Sequence, residues 1–222
     1  MLKIHGVPIS VHTRKVILAA LEKNLEFANE PVIPFQPPAG WDKLSPTGKI
    51  PVAQYGELLL RDSSVICAYL ERRHPEPALY PADAEGYAQA LWFEEYADGT
   101  LFREVVHGLF YQKIIRPKIL KEESDGAAIE AIFGQALPRA FGYLEGSLQG
   151  EFLVDGRFGI ADIALASNLI NFHYLGCGID RQRFPRLERY FRAQLGRPSI
   201  ERALRAEQPV AAAMGLDTAF TH

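Results

Sequence analysis

The first eighty residues change their hydrophobic period several times. Residues 2–5 alternate like a short strand, residues 13–23 carry apolar side chains at helical spacing, and residues 26–33 form a second strand-like run. This order predicts a βαβ unit at the start of the chain.

A second unit follows a proline-rich loop. Two short strand patterns, at 51–55 and 58–60, are joined at Gly56-Glu57, and residues 63–73 have the spacing of a helix. The sequence therefore predicts a βαβ unit followed by a ββα unit.

Beyond residue 83 the pattern is helical only. His74-Pro75 ends the preceding helix, because proline lacks the amide donor and restricts the residue before it. A boundary between two domains is therefore predicted within residues 74–83. Apolar residues at three- and four-residue spacing then predict helices at 84–113, 122–148, 161–175 and 184–195. The predicted fold class is an α/β domain followed by an all-α domain.

Composition and charge narrow the classes of function. The chain has 222 residues and a formal net charge of -3, with acids and bases interspersed, so a nucleic-acid partner is not expected. Neither Cys67 nor Cys177 belongs to a Cys-x-x-Cys pair, which disfavours a disulfide framework, a zinc site and a dithiol centre. The histidines have no metal-ligand spacing, and no phosphate-binding glycine loop is present. Without a signal-peptide pattern or a run of ~20 apolar residues, we expect a cytoplasmic protein with no membrane partner.

Three segments are candidates for chemistry, and the first is the loop that enters the first helix. Ser10 lies where a helix start offers unpaired N–H groups and a partial positive charge, which together stabilise an anion such as a thiolate. The alternative is that Ser10 or Thr13 only caps the helix.

The second and third segments also have a structural alternative each. Pro51 follows Ile50 at the start of a strand, where a cis bond would turn the Ile50 backbone outward to pair with an extended peptide. An ordinary trans proline is equally well tolerated there. Asp62 and Ser63 begin a helix, where they suit the ammonium and carboxylate of an amino-acid head group, or simply cap the helix.

Taken in this order, the segments resemble the cytosolic glutathione S-transferase superfamily, and the likeness extends over nearly the whole chain. Four stretches carry it: Leu44-Ser45-Pro46-Thr47-Gly48-Lys49-Ile50-Pro51-Val52, Asp62-Ser63-Ser64-Val65-Ile66-Cys67-Ala68-Tyr69-Leu70, the linker Leu79-Tyr80-Pro81-Ala82-Asp83, and Gly156-Arg157-Phe158-Gly159-Ile160-Ala161-Asp162-Ile163-Ala164. The resemblance implies a thioredoxin-like glutathione-binding domain at 1–78, a linker at 79–86 and an all-helical substrate-binding domain at 87–222.

The resemblance also implies roles for individual residues. Pro51 would be a cis proline, the Ile50 backbone would pair with the cysteinyl portion of glutathione, and Lys49 would reach its glycyl carboxylate. Asp62 and Ser63 would hold the γ-glutamyl group. Trp41 and Lys43 are further candidates in the preceding loop.

Ser10 occupies the place of the activating residue in the serine-type classes. The tyrosine classes have no counterpart, since no Tyr lies in the first fifty residues, and the cysteine classes have none because Cys67 is the first cysteine. The loop departs from many relatives at Val11 and His12, which leaves Thr13 or backbone N–H groups as alternative thiolate partners. Gly159 stands where relatives have Ser or Thr at a helix N-cap, so Asp162 is expected to accept from the cap backbone without a reciprocal side-chain bond.

The predicted function is that of a glutathione transferase, with glutathione as co-substrate and a small hydrophobic electrophile as second substrate. Its pocket is predicted to include Ile9, Val11, His107 and Tyr111, and the resemblance implies a homodimer. Two alternatives stay open: a non-catalytic interaction module with the same fold, and a glutathione-dependent isomerase, dehalogenase or peroxidase.

Overall fold

A four-stranded sheet with helices forms the amino-terminal part of the chain in the computed structural model, which describes residues 1–221. His222, the last residue of the predicted helical domain, lies outside the described residues. The elements in chain order are β1 (Leu2–His5), α1 (Val11–Glu22), β2 (Phe27–Glu30), α2 (Trp41–Leu44), β3 (Val52–Tyr55), β4 (Leu58–Arg61) and α3 (Ser63–Arg73).

The strands lie in the order β2-β1-β3-β4. β1 and β2 are parallel neighbours, connected along the chain by the crossover helix α1. The pairs β1–β3 and β3–β4 are antiparallel. The predicted βαβ and ββα units are confirmed, and α3 has the predicted bounds. α2 was not predicted, because its single turn lies in a proline-rich loop with too few residues to show a period.

Helices form the remainder of the described chain. They are α4 (Ala84–Glu95), α5 (Tyr96–Leu120), α6 (Gly126–Ala131), α7 (Ile132–Ala136), α8 (Leu137–Ser147), α9 (Ile160–Tyr174), α10 (Pro185–Leu195) and α11 (Pro198–Ala213), with a short 3-10 turn at Ala219–Thr221. α4 continues directly into α5, which has the wider hydrogen-bonding pattern of a π-helix. The predicted fold class is confirmed. None of the helices described between residues 1 and 221 is long and apolar enough to cross a bilayer.

α9 is the central helix of the structure. Fourteen of its residues are buried, with only His173 partly exposed, and it packs against α1, α4 and α5. A helix that is apolar on all sides must be covered on all sides. α9 therefore joins the sheet-bearing part to the other helices in one continuous core.

The start of α9 forms as expected from its sequence. Gly159 at the N-cap has no side chain to donate or accept, and its N–H donates to Asp162 Oδ2 at 3.0 Å. Asp162 Oδ1 also accepts from the Leu153 N–H at 3.0 Å and from the Tyr190 hydroxyl at 2.9 Å. Burial raises the pKa of Asp162 to about 6, although these three donors favour the carboxylate. Asp162 thereby ties the start of α9 to two other segments.

Candidate active site

The strand register brings the three candidate segments to one edge of the sheet. His5 at the end of β1 pairs with Val52 at the start of β3, and Val52 pairs with Arg61 at the end of β4. The loop after β1, the segment before β3 and the turn after β4 must therefore emerge at the same edge. Residues 6–10, 49–51 and Asp62 belong to these three connections, and Ser63 directly follows the third as the first residue of α3.

Close contacts join the three segments at that edge. A Cβ built on Gly6 would lie 2.4 Å from Thr13 Oγ1 and 3.4 Å from Ile50 Cβ, so the first segment packs directly against the second. His12 Nδ1, in the first turn of α1, lies 3.4 Å from Ser63 Oγ in the third. Glycine is needed at position 6, where the first two segments meet, because a side chain there would displace Thr13.

The Ile50–Pro51 peptide bond is cis, as the resemblance implied. Pro51 is buried and Ile50 is half-buried. Among residues 1–221 no hydrogen-bond partner is found for the backbone N–H or C=O of Ile50, whereas the carbonyl of Lys49 before it accepts from Ser45 Oγ at 2.7 Å. Ile50 therefore offers one free donor and one free acceptor to an extended peptide.

Ser10 is the N-cap of α1 but its hydroxyl does not cap the helix. Its backbone has φ -68° and ψ 129°, and its side chain makes no capping hydrogen bond. No acidic residue lies in the first turn of α1, so neither a capping side chain nor a carboxylate satisfies the first N–H groups. The helix start thus keeps its capacity to stabilise an anion.

Thr13, the alternative thiolate partner, is fully buried. None of its surface is exposed, and its hydroxyl has no hydrogen-bond partner in the described structure. A thiolate bound at this edge of the sheet could contact this hydroxyl only after a movement of the loop. Ser10, which is half-buried, is the more accessible of the two hydroxyls.

Asp62 caps α3 and is held in an uncommon backbone conformation. Its φ is 74° and its Oδ1 accepts from the N–H groups of Ser64 and Val65 at 2.9 and 3.3 Å. Asp62 is exposed and Ser63 is buried. The capping interpretation of Asp62 is therefore confirmed, and the recognition of a γ-glutamyl group by Asp62 and Ser63 stays a prediction.

A buried charged cluster lies behind the site, and the sequence did not predict it. Lys15 of α1 contacts Glu94 Oε1 at 2.7 Å, the carboxylate of Asp98, and Ser64 Oγ at 2.8 Å. Asp98 Oδ1 also lies 3.6 Å from His12 Nδ1. Burial alone would raise the pKa of Asp98, but His12 and Lys15 lower it below its ordinary value. The four-residue spacing of Glu94 and Asp98 on a predicted helix is the one signal that indicated a shared face.

The loop before the cis proline is held by its own residues. Trp41 is only 4% exposed and its Nε1 donates to the Gly48 carbonyl at 3.2 Å. Lys43 and Lys49 are exposed, so both side chains can contact a carboxylate of a ligand bound at this edge of the sheet. Trp41 therefore stabilises the loop from inside.

The four residues predicted for the electrophile pocket differ in exposure. His107 and Tyr111 are exposed, whereas Ile9 and Val11 are only 5% and 2% exposed. A nearly covered side chain adds little to a pocket wall, so Ile9 and Val11 offer little surface to a substrate, and the pocket stays a prediction. Burial and, after it, the nearby charges of His12 and Lys49 lower the pKa of His107.

Phe102 lies between the rings of His12 and His107. Its ring is 4.4 Å from the His12 ring and 4.5 Å from the His107 ring, measured between centroids. The helical part of the chain thus contributes an aromatic and imidazole surface directly beside the start of α1.

The thiol of Cys67 is unsuited to nucleophilic chemistry. Cys67 is buried, and burial raises the pKa of its thiol well above the ordinary value, so it is not a reactive thiol. No group of three or more His, Cys, Asp or Glu side chains within residues 1–221 could hold a metal ion. Two cavities, of about 580 and 260 Å³, are lined by residues of the helical part and by none of the three candidate segments.

The chain matches two family models. The model described as Glutathione S-transferase, N-terminal domain, matches residues 4–78, and the model described as Glutathione S-transferase, C-terminal domain, matches residues 124–193. Together they cover well over half of the chain.

Individual proteins are similar over large parts of the sequence. FtsZ-localized protein A of Caulobacter vibrioides is 28% identical over 178 residues, which are 78% of each chain. A glutathione S-transferase of Pseudomonas putida is 32% identical over 125 residues, 53% of this chain and 56% of its own. The crystal structure of a glutathione S-transferase from Rhodospirillum rubrum F11 has the same fold, with a TM-score of 0.85, 24% identity and 92% of each chain covered. The chain therefore belongs to the cytosolic glutathione transferase superfamily.

Proposed function

We propose that the protein is a glutathione transferase that binds glutathione along the sheet edge and holds its sulfur as a thiolate beside Ser10. The Ile50 backbone pairs with the cysteinyl portion, Lys49 meets the glycyl carboxylate, and Asp62 with Ser63 binds the γ-glutamyl group. One observation carries the proposal: the Ile50 backbone, without a hydrogen-bond partner among residues 1–221, and the start of α1, which the Ser10 hydroxyl does not cap, lie at the same edge.

The energy required of the thiolate site is modest. A free thiol has a pKa of about 8.5, and lowering it by two units takes about 2.7 kcal/mol. One charge-assisted hydrogen bond contributes about 1.5–3 kcal/mol, and a helix N-terminus adds about 0.3–1 kcal/mol. Ser10 at the start of α1 offers both.

The protein's part in catalysis is to lower the proton affinity of the sulfur and to hold it near an electrophile. The second substrate is a small hydrophobic molecule bound between the Ser10 loop and the surface of His107 and Tyr111. A homodimer is part of this proposal, and sedimentation at micromolar concentration measures it directly.

The test compares binding with turnover. The protein should be retained on immobilised glutathione, and Ser10→Ala should reduce conjugation of an aromatic electrophile at least tenfold without loss of retention. Ser124→Ala is a matched control, because Ser124 is an exposed serine outside the three candidate segments. Its hydroxyl donates only to the Gln112 carbonyl. If Ser10→Ala kept full activity, the backbone N–H groups of α1 would be the groups that stabilise the thiolate. Failure of the wild type to bind glutathione would refute the proposal.

A second candidate is a non-catalytic interaction module. The similarity to FtsZ-localized protein A spans 78% of this chain, against 53% for the glutathione S-transferase of Pseudomonas putida. Cosedimentation with FtsZ filaments, with no retention on glutathione, would favour this candidate.

Where glutathione is bound, a panel of aromatic electrophiles, haloalkanes, peroxides and disulfides separates a transferase from an isomerase, dehalogenase or peroxidase.

A further inference from the structure

Arg14 is a fully buried arginine in the first turn of α1, and its main partner comes from the last long helix. Nε and Nη2 donate to the two carboxylate oxygens of Glu207 at 2.7 and 2.6 Å, and neither side chain is more than 1% exposed. Nη1 donates to the Ser167 carbonyl and to Asn171 Oδ1, each at 2.7 Å. The Tyr174 hydroxyl donates to Glu207 Oε2 at 3.0 Å, which completes the network.

The remaining N–H of this guanidinium reaches the Ser10 loop. Nη2 donates to the Ile9 carbonyl at 3.3 Å, and that carbonyl belongs to the peptide unit that joins Ile9 to Ser10. The N–H of the same peptide unit donates to the Val7 carbonyl at 3.1 Å, and the Ser10 carbonyl accepts from the Arg14 N–H at 2.8 Å. Both polar groups of the peptide unit before Ser10 are therefore held.

We propose that Arg14 and Glu207 are positioning residues for the thiolate site, an inference that rests on the proposed function. Glu207 fixes the plane of the guanidinium, the guanidinium fixes the Ile9 carbonyl, and the position of that carbonyl sets where Ser10 presents its hydroxyl. The Ser10 hydroxyl makes no capping bond, so the backbone to which it is attached sets its position.

An ion pair is not needed merely to join the two helices. Replacing a buried ion pair by well-packed apolar residues is often neutral or stabilising, and α1 already buries Val16 and Leu18 in the common core. An apolar side chain at position 14 would join α1 to α11 equally well. It could not donate a hydrogen bond to the Ile9 carbonyl, which is the contact that concerns the site.

The matched control is a second ion pair between the same two helices. Arg197 donates from Nε and Nη2 to the two carboxylate oxygens of Glu22, both at 2.7 Å, and Ser199 also donates to Glu22. This pair joins the end of α1 to the start of α11, at the opposite end of α1 from Ser10. It has the same chemistry and lies on the same helices, but it does not contact the Ser10 loop.

The experiment compares two triple variants. In the test variant, Arg14→Met, Glu207→Leu and Tyr174→Phe remove the network without leaving a buried charge. In the control variant, Arg197→Met, Glu22→Leu and Ser199→Ala do the same at the other pair. Arg14→Lys is a second test variant in case the triple one does not fold, because a single ammonium keeps the charge but lacks the fork that reaches both Glu207 and Ile9.

Three quantities are measured on each folded protein. They are amide hydrogen exchange at Ser10 without glutathione, the apparent pKa of bound glutathione from thiolate absorbance, and kcat and KM for conjugation. We expect exchange at Ser10 to become at least tenfold faster in the test variant. The pKa of the bound thiol should rise by about one unit and kcat at pH 6.5 should fall about fivefold, because a rise from about 6.5 to about 7.5 lowers the thiolate fraction at that pH from about one half to about one tenth, with KM changed less than threefold.

The outcomes separate positioning from stability and from the proposed function. The control variant should keep all three quantities unchanged, whether its stability falls or not. A test variant that loses only stability, with wild-type exchange at Ser10 and wild-type kcat, would overturn the proposal. If the wild type leaves the thiol pKa at its free value, the proposed function fails, and the exchange measurement still decides whether Arg14 holds the loop.

Discussion

Gly159, the N-cap of α9, provides a direct test of how the two parts of the chain are joined. A Ser in place of Gly normally gains only a few tenths of a kcal/mol as an N-cap. The backbone of Gly159, with φ -145° and ψ -166°, is extended and suits any residue. By local rules alone, Gly159→Ser should be slightly stabilising.

The tertiary structure predicts the opposite sign. A Cβ built on Gly159 would lie 2.7 Å from the carbonyl oxygen of Leu79, whereas carbon and oxygen in such contacts are normally about 3.3–3.6 Å apart. The two segments would have to separate by about 0.6–0.9 Å. The Leu79 carbonyl accepts the hydrogen bond of the fully buried Ile160 N–H at 2.9 Å, and this bond would be stretched or lost.

The expected cost is that of a buried N–H deprived of its acceptor, about 1–3 kcal/mol, which exceeds the capping gain. We expect Gly159→Ser and Gly159→Ala to lower the free energy of unfolding by this amount in urea titrations. For a chain of this length each kcal/mol corresponds to about 2–4 °C in Tm.

The matched control is Gly142→Ala in α8, where a Cβ would meet no atom within 4 Å. Removing a helical glycine should stabilise the protein by up to about 1 kcal/mol. If Gly159→Ala proves as stable as the wild type or more so, the close approach of Leu79 is not what excludes a side chain, and the reasoning is wrong.

Three further predictions concern buried polar groups. Thr13→Val should keep full conjugation activity, because its covered hydroxyl has no partner; a tenfold loss would restore it as a thiolate partner. Asp162→Asn should lower the free energy of unfolding by about 1–3 kcal/mol, since an amide cannot accept all three of its hydrogen bonds, while the exposed Asp155→Asn serves as control; equal effects would refute this. Burial lowers the pKa of His173 below 6.5, so the unfolded state binds more protons below that pH and stability is lost as the pH falls. His173→Phe should show a smaller loss of stability between pH 7.5 and 5.5 in urea titrations, and an unchanged pH dependence would contradict this.

Local pattern was sufficient for most of the fold. β1 to β4, α1 and α3 follow from alternation, helical spacing and proline positions, because these signals are contained within a few neighbouring residues. α11 (Pro198–Ala213) was not predicted. Pro209 lies inside this segment, which by local rules argues against a helix. Its packing on α1 stabilises the helix all the same.

The candidate site depended on more than local pattern. Each of its three segments has a capping or ordinary-proline alternative, and Asp62 does cap α3. The resemblance selected the cis form of the Ile50–Pro51 bond, and the strand register then placed this bond at the same edge of the sheet as the segments of Ser10 and Ser63. Pairing across strands is not encoded in any one segment, and so the juxtaposition was visible only in the sheet.

The sequence alone determined the four strands and most of the helices in chain order, the division into α/β and helical parts, and the residue types available for binding. It placed Arg14 and Lys15 on a helix but gave no indication that both are buried. Their partners are 193 residues away at Glu207 and 79 residues away at Glu94. A charge is buried only where an opposite charge compensates its desolvation, and only the tertiary structure decides which distant carboxylate does so.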